Sequence, residues 1–127
     1  MLDLRKKSEI FKALSEPNRI RILVMLIKKS MCVCEITHIL GLKTATVSNH
    51  LTVLRNCGFV IDEKDGKWIN YKINMQNVDP IIKIILDNIN NWFKDDTQIK
   101  SDLESLKIVD RYLMSCNKQN VLEIQGT

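Results

Sequence analysis

The stretch that decides the fold covers residues 31–54, MCVCEITHILGLKTATVSNHLTVL. It contains two apolar repeats separated by Gly41, a residue that commonly interrupts a helix. The apolar positions are Ile36, Ile39 and Leu40 before the glycine, and Val47, Leu51 and Leu54 after it. The second set follows the i, i+4, i+7 spacing of one helix face. The stretch therefore predicts a short helix at residues 35–40, a tight turn, and a second helix that begins at about Thr44.

The second of these helices has a polar face opposite its apolar stripe. The side chains assigned to that face are Thr44, Thr46, Ser48, Asn49 and His50. Such side chains can reach phosphate oxygens and base edges in a DNA groove. We therefore predict that this is the reading helix of a helix-turn-helix, meaning the helix that enters the major groove. The alternative is an ordinary helical hairpin with a solvated face.

The charge distribution favours DNA binding. Residues 1–78 contain 13 Lys and Arg against 7 Asp and Glu, whereas residues 79–127 contain 6 against 8. The basic excess thus accompanies the helix-turn-helix, as phosphate binding requires. The remaining composition, 45% hydrophobic and 27% charged over 127 residues, is typical of one soluble globular domain.

Two helices are expected before the deciding stretch. An amphipathic pattern covers residues 2–14, and the segment Ser15-Glu16-Pro17-Asn18 then supplies the polar cap and first-turn proline of a helix start. The helix that follows carries Ile20, Leu23, Val24, Leu26 and Ile27. Because it is so strongly apolar, we expect it to be the core helix.

A β-hairpin is expected directly after the reading helix. Gly58 suits the left-handed end of that helix. The β-prone residues 59–63 and 68–73 flank Asp65-Gly66, a pair that favours a tight turn. A hairpin in this position is a wing, and it must pack against the helices to be stable.

Basic side chains accompany the predicted wing. Lys64 and Lys67 lie at its tip and Arg55 lies near the end of the reading helix, so we expect all three to contact phosphates. Trp68 and Tyr71 are expected to pack the wing onto the helices instead of touching nucleic acid.

Two further helices are expected after Asp79-Pro80. Their apolar positions are Ile81, Ile82, Ile84, Ile85, Ile89, Trp92 and Phe93, then Ile99, Leu103, Leu106, Val109, Tyr112 and Leu113. This apolar surface is broader than one small core needs, which predicts a homodimer. In the alternative, the last helix covers the fifth within a monomer. The expected architecture is mainly α with a small β-hairpin wing: a dimeric winged helix-turn-helix domain at residues 1–114, with terminal dimerisation helices, and a tail at residues 115–127.

The chain is expected to be cytoplasmic. Its first residues, MLDLRKKSEIF, lack the apolar region of a signal peptide, and no apolar run approaches the length of a membrane span. In that compartment the four cysteines are expected to be reduced thiols available to metals, not a disulfide framework.

These features resemble the ArsR/SmtB family of metal-responsive transcriptional repressors, which are winged-helix homodimers. The resemblance covers residues 10–73 and is carried by LSEPNRIRILVML, CVCEITHILGLKTATVSNHLTVLRNCGFV and DEKDGKWINYKI. It implies a repressor, not an enzyme, that binds a pseudo-palindromic operator in double-stranded DNA as a homodimer. It also implies that DNA binding requires no cofactor.

The arsenic-sensing and cadmium-sensing branches of that family are similar to this chain in placing Cys-Val-Cys before an acidic residue, here Cys32, Cys34 and Glu35. The resemblance implies that the two cysteines bind the inducer. The chain also departs from the family. Thr37 stands where arsenic sensors often have a third cysteine, and no cysteine precedes Cys32, unlike in the cadmium and lead sensors. No histidine follows His50, which argues against the site of the zinc and nickel sensors.

Thiolates are soft ligands that favour As(III), Sb(III), Cd(II), Pb(II) or Cu(I). We expect arsenite or antimonite as the inducer, an organoarsenical such as methylarsenite as the second choice, and cadmium or lead as the third. Inorganic As(III) prefers three sulfurs, for which Cys57 and Cys116 are the candidates. Methylarsenite needs only two, because carbon occupies its third position.

The expected switch is mechanical. Residues two apart on a regular helix point about 200° apart. Cys32 and Cys34 can therefore converge on one atom only if the first turn of their helix is distorted. We expect this distortion to shift the reading helix and to weaken DNA binding.

Two other functions remain open. The same fold can sense oxidants or persulfides if Cys32 or Cys34 pairs with Cys57 or Cys116. A thiol oxidoreductase is the candidate from another class, but the Cys-x-Cys spacing and the missing βαβ pattern disfavour it. No other catalytic constellation is present in the sequence.

Overall fold

The computed structural model describes residues 3–77 and 79–109. Of the sequence predictions, Tyr112, Leu113, Cys116 and the tail at residues 115–127 lie outside the described residues. The elements in the described part are α1 (Leu4–Ala13), α2 (Pro17–Lys28), β1 (Met31–Cys32), α3 (Val33–Leu40), α4 (Thr44–Cys57), β2 (Val60–Asp65), β3 (Trp68–Ile73), α5 (Pro80–Trp92) and α6 (Thr97–Leu106). The predicted winged helix-turn-helix, mainly α with a small β component, is confirmed.

Side-chain caps define the starts of α2 and α5. Glu16 accepts a hydrogen bond from the backbone N–H of Asn18 (3.0 Å), and Asp79 accepts one from that of Ile81 (2.8 Å). In both helices a proline occupies the first turn, where its missing N–H leaves no bond unmade. The two helix starts predicted from the prolines are confirmed.

The core is built around α2. Five consecutive residues of this helix are buried: Ile22, Leu23, Val24, Met25 and Leu26. A helix that is apolar almost all round is surrounded by other elements, and α2 packs against α4, α5, α6 and β3. The prediction of a central core helix is confirmed.

The sheet has three strands in the order β1-β3-β2, whereas the sequence predicted a two-stranded hairpin. The additional strand is β1, which pairs antiparallel with β3, placing Met31 opposite Tyr71 and Cys32 opposite Asn70. A strand of two residues is too short to show an alternating pattern, so periodicity could not reveal it. Through β1, the wing is joined to the segment that carries the cysteine pair.

The turn of the hairpin lies one residue later than predicted. Asp65 pairs with Trp68 as the last rung of the ladder, so Gly66 and Lys67 form the loop, not Asp65-Gly66. Gly66 has φ +63°, and no non-glycine residue in the described chain has a positive φ. This combination is that of a type II′ turn, which takes glycine at its first central position.

A buried ion pair attaches α6 to the core helix. The Arg21 guanidinium donates from Nε (2.8 Å) and from a terminal nitrogen (2.9 Å) to the two carboxylate oxygens of Asp102. The Asp102 side chain is 3% exposed. This hydrogen-bonded pair raises the pKa of Arg21. Since α6 packs against both α2 and α3, the pair positions it beside the start of the helix-turn-helix.

Several large apolar side chains are exposed on α1 and α5. Leu4 and Phe11 of α1 are 83% and 58% exposed, and Ile84 and Trp92 of α5 are 56% and 55% exposed. None of the described helices is both long enough and apolar enough to span a membrane.

We expect the substitution Arg21→Ala to lower the free energy of unfolding by about 3 kcal/mol, because it leaves the Asp102 carboxylate buried without its cation. Urea denaturation followed by circular dichroism measures the change. Lys107→Ala, which breaks the exposed Lys107–Glu104 pair, is the matched control and should cost less than about 1 kcal/mol. Equal effects of the two substitutions would contradict the assigned role of the buried pair.

Candidate nucleic-acid interface and cysteine pair

The reading helix is α4. It follows α3 after a turn that starts at Gly41, whose φ of +70° ends α3 in the left-handed conformation. Val47, Leu51 and Leu54 of α4 are fully buried. The predicted i, i+4, i+7 stripe therefore faces the core, and the helix-turn-helix forms as expected.

The opposite face of α4 is solvent-accessible. Of the predicted contacts, Thr44, Thr46 and Asn49 are exposed and Ser48 is half-buried. At 100° per residue, the positions directly opposite the buried stripe are Ala45, Asn49, Thr52 and Asn56. Three further polar residues on this surface were missed: Thr52 and Asn56, which a helical projection identifies, and Lys43, which precedes the helix as its N-cap residue and is exposed.

His50 does not share the exposed face to which the sequence assigned it. Its side chain is 14% exposed and turns toward the start of α2. Nε2 lies 3.4 Å from a carboxylate oxygen of Glu16, and Nδ1 lies 3.4 Å from a guanidinium nitrogen of Arg19. In the helical projection His50 lies at the border of the buried stripe, not on the opposite face. Its side chain therefore turns toward α2, where Glu16 and Arg19 are its two charged partners.

The basic residues of the wing lie where they were expected. Lys64 and Lys67 are exposed, and Lys67 Nζ lies 5.1 Å from the centre of the Trp68 ring. Arg55 is also exposed, but it donates to the carboxylate of Asp62 on β2 (3.2 Å). The Arg55–Asp62 pair thus links the end of the reading helix to the wing.

Tyr71 packs the wing onto the domain. It is buried, as expected, and burial together with the nearby Asp62 carboxylate raises the pKa of its hydroxyl.

The cysteine pair lies at the junction of β1 and α3. Cys32 is the last residue of β1 and the N-cap of α3, with extended backbone angles of φ −85° and ψ 163°. Cys34 is in the first turn of α3, and the two Sγ atoms lie 2.7 Å apart. The expectation that convergence requires a distorted helix is wrong, because Cys32 is not helical. An extended residue followed by a helical turn brings both sulfurs to the same side.

Glu35 stabilises this junction. Its buried carboxylate accepts a hydrogen bond from the backbone N–H of Cys32 (2.8 Å), which is one half of a capping box. Opposite Cys32 on β3, Asn70 donates from its side chain to the Asp65 carboxylate near the wing tip (3.2 Å). The cysteine pair is therefore connected both to the start of α3 and to the wing.

Cys57, a candidate third ligand, lies elsewhere. It ends α4, and its Sγ is 3.7 Å from the backbone oxygen of Glu9 on α1. Burial and the Glu9 carboxylate raise the pKa of the Cys57 thiol, and Arg19 opposes them. In residues 3–77 and 79–109, no three His, Cys, Asp or Glu side chains are grouped so that they could hold a metal ion. Cys57 therefore does not complete the pair within one chain, and Cys116 lies outside the described residues.

Comparison with known proteins agrees with this arrangement. Residues 16–62 match the bacterial regulatory protein, arsR family. The chain is 33% identical over 91 residues to the arsenic resistance transcriptional regulator ArsR1 of Pseudomonas putida, covering 68% of this chain and 71% of that protein. It is 34% identical over 77 residues to the cadmium resistance transcriptional regulatory protein CadC homolog of Staphylococcus aureus, covering 60% of this chain and 64% of that protein.

Among solved structures, reduced HlyU from Vibrio cholerae superimposes with a TM-score of 0.60 and 25% identity, covering 70% of this chain and 90% of that chain. The matched family region spans α2, the helix-turn-helix and the start of the wing, which are the elements that form the candidate interface. The chain belongs to the ArsR family of DNA-binding transcriptional regulators and is not an enzyme.

Proposed function

We propose that the protein is a homodimeric repressor that leaves its operator when a thiophilic metalloid binds Cys32 and Cys34. The observation that carries the proposal is the 2.7 Å separation of the two Sγ atoms at the N-cap of α3. Once the disulfide-bonded Cys34 is reduced, the two sulfurs form one soft donor set. Such a set selects soft ions over Mg(II) or Ca(II).

Trivalent arsenic or antimony is the favoured inducer class, followed by an organoarsenical and then by cadmium or lead. For inorganic As(III), the third sulfur has to come from Cys116 or from outside the chain, since Cys57 packs against α1. Methylarsenite avoids this requirement, because its carbon fills the third position. The relatives named for arsenic and cadmium resistance support the class of inducer.

The inducer would act on the junction around Cys32. This residue is buried, ends β1 and caps α3, so a ligand atom bound to its sulfur displaces one of these elements. Movement of α3 reaches the reading helix, which packs directly against it. Movement of β1 reaches the wing through the Cys32–Asn70 pairing. Both routes alter the surface that faces DNA.

The exposed apolar faces of α1 and α5 support the dimer. Phe11 and Leu4 on one helix and Ile84 and Trp92 on the other are large side chains that a second copy can bury. A two-fold dimer presents two reading helices to successive major grooves, about 34 Å apart, which corresponds to a pseudo-palindromic operator.

The disulfide-bonded state of Cys34 favours a second candidate, oxidant sensing. Oxidation of two thiols by a peroxide forms one disulfide and releases two protons, while the peroxide takes up two electrons. In this chain Cys32 or Cys34 would pair with Cys57 or Cys116, and the Cys34 sulfur is already disulfide-bonded in the structure. The similarity to a structure described as reduced HlyU supports keeping this candidate.

We expect the double substitution Cys32→Ser/Cys34→Ser to leave DNA affinity within about twofold of the unsubstituted protein and to abolish release by arsenite and methylarsenite. The measurement is fluorescence anisotropy of the reduced protein on the DNA upstream of its own gene, titrated with arsenite, methylarsenite, cadmium and zinc. Cys57→Ser is the matched control and should respond like the unsubstituted protein. A double variant that is still released by arsenic would overturn the assignment of the site.

Peroxide added to the unsubstituted protein separates the two candidates. Release by peroxide but by none of the metals or metalloids supports oxidant sensing and contradicts the metalloid proposal.

Thr37 offers a gain-of-function test, because it lies one helical turn after Cys34 and is half-buried. Thr37→Cys would place a third sulfur on the same side of α3. We expect this variant to need less arsenite for half-maximal release, while its response to methylarsenite stays the same. A Thr37→Ser variant controls for loss of the methyl group. If Thr37→Cys does not change the arsenite response, the third position of the inducer is not directed toward α3.

The wing lysines give a prediction for DNA binding itself. Lys64→Ala and Lys67→Ala should each lower affinity for all DNA sequences and reduce the slope of log K against log salt by about one, as loss of one phosphate contact requires. Lys94→Ala, an exposed lysine after α5, is the control and should leave the slope unchanged. An unchanged slope in both wing variants would show that the wing does not contact the DNA backbone.

A further inference from the structure

A groove between the end of α2 and α6 lies apart from both the predicted DNA interface and the cysteine pair. It has a volume of about 680 Å³, which falls in the range of pockets that hold small organic ligands. We propose that this groove binds an amphiphilic organic anion, such as the carboxylate of a fatty acid. The proposal does not depend on the metalloid site or on the identity of the inducer.

Lysines dominate the groove. Among the described residues that line it, Lys28, Lys29, Lys100 and Lys107 are basic and Glu104 is acidic. Glu104 accepts a hydrogen bond from Lys107 Nζ (3.2 Å), so this carboxylate offsets one of the four positive charges. In residues 3–77 and 79–109, no carboxylate forms an ion pair with the other three lysines. The groove therefore attracts anions.

Helix termini explain only part of this arrangement. The two lysines at the end of α2 and Lys107 after α6 lie at C-terminal helix ends, where the helix dipole favours cations. Lys100, however, is the fourth residue of α6, close to the end at which the dipole disfavours a cation. The carboxylate of Asp96, one turn earlier, caps α6 by accepting the N–H of Gln98 (2.9 Å). A bound anion would give Lys100 the partner that the described chain does not provide.

The apolar part of the groove is formed by Leu103 and Leu106. These residues lie three positions apart on one face of α6, and both contribute to the hydrophobic core. Leu103 is only half-buried, so part of its surface is left for a ligand. Inorganic phosphate or sulfate would contact the lysines but would leave this apolar surface in water. An anion with a hydrocarbon chain uses both features of the groove.

The position of the groove argues against a second phosphate-binding surface for DNA. β3 begins at the wing tip with Trp68, and β1 runs antiparallel to it, so the chain enters β1 from the end remote from the tip. The two lysines at the end of α2 precede that entry. The phosphate contacts predicted for the wing lie at its tip, so these two lysines are not placed to extend them.

The tail of the chain is the other candidate occupant, because it continues from α6. Residues 110–127 contain two acidic residues, Asp110 and Glu123, and two basic residues, Arg111 and Lys118. This segment therefore has no net charge and does not complement a groove with three positive charges in excess. Charge complementarity favours an anionic ligand instead.

An occupant would connect α6 to the core helix, since the lysines of the groove come from the ends of both. α6 also packs against α3, the helix that begins at the cysteine pair. A ligand that binds only the folded chain stabilises it by mass action. Binding should therefore raise the temperature of unfolding and favour the conformation in which α6 is docked.

The test is isothermal titration calorimetry of the reduced, full-length protein, with decanoate as the probe at concentrations below micelle formation. Decyltrimethylammonium has the same chain with the opposite charge, and acetate has the carboxylate without the chain. We expect decanoate to bind at one molecule per chain, and the other two compounds to show no saturable binding at the same concentrations. Thermal melting should show a higher midpoint with decanoate than without it.

The lysines of the groove provide the decisive variants. Lys29→Gln/Lys100→Gln should lower the affinity for decanoate about tenfold, since two exposed charge contacts are lost. Lys29→Arg/Lys100→Arg retains both charges and should stay within about twofold of the unsubstituted protein. Lys83→Gln/Lys94→Gln removes two exposed lysines outside the groove, with the same change in net charge, and should also stay within about twofold. Thermal melting of each variant verifies that it is folded.

Several results would overturn the proposal. If decyltrimethylammonium binds as well as decanoate, or if the two glutamine double variants bind decanoate equally, the ligand adsorbs to apolar surface outside the groove. If decanoate does not bind the unsubstituted protein, the groove does not accept a free anion, as occupancy by the tail would require. If Lys29→Gln/Lys100→Gln lowers the slope of log K against log salt for DNA binding, these lysines contact phosphates instead. None of these results affects the metalloid proposal, because its readout is release from DNA.

Discussion

The hydrogen bond from the Cys32 N–H to the Glu35 carboxylate, 2.8 Å long, defines the point where the sheet ends and the helix-turn-helix begins. A buried carboxylate is stable there because it satisfies a backbone donor at a helix N-terminus, where the helix dipole favours negative charge. Cys32 is also paired with β3, so the same residue closes the sheet. Disturbing this one residue therefore affects both the wing and α3.

In the proposed function the reading helix is positioned mainly from its buried side, because its opposite face contacts DNA. α3 holds it through the turn at Gly41, and α2 holds it through Glu16, Arg19 and His50. At its C-terminal end, Gly58 adopts φ +96° and its carbonyl accepts from the Asn77 side chain (2.9 Å). A Cβ at Gly58 would collide with that same side chain, and the positive φ also favours glycine at this position. A chemical change at any of these contacts can therefore shift the reading helix.

Local pattern was sufficient for most of the fold. The helices were predictable because neighbouring residues carry both their apolar spacing and their start signals, such as Pro17 and Asp79. The strand β1 was not, because two residues carry no period. The hairpin turn was misplaced by one residue, since Asp65-Gly66 and Gly66-Lys67 are both acceptable turn pairs until the strand register decides between them.

The site was less predictable than the fold, because its decisive contacts are long-range. His50 is polar and lies on the predicted reading helix, so sequence alone assigned it to the exposed face. Its true partners are 31 and 34 positions away, at Arg19 and Glu16. Arg21 and Asp102 are 81 positions apart, so the pattern of neighbouring residues could not predict that they pair. The identity of the cysteine pair was predictable, but its geometry was not, because it depends on β1 ending at Cys32.

That geometry changes how a thiol switch has to work. If inducer binding had to bring the sulfurs together, it would also have to distort the helix, and the free-energy cost of the distortion would weaken the binding. The distortion would then itself be the signal. Here the sulfurs are already together, so an inducer shifts the protein between conformations only if it binds one of them better. Cys32 is 1% exposed, and a close-packed interior has no room for an added atom beside its sulfur. In the proposed function the inducer therefore favours a conformation in which β1 and the first turn of α3 have separated, and DNA favours the one in which they are joined.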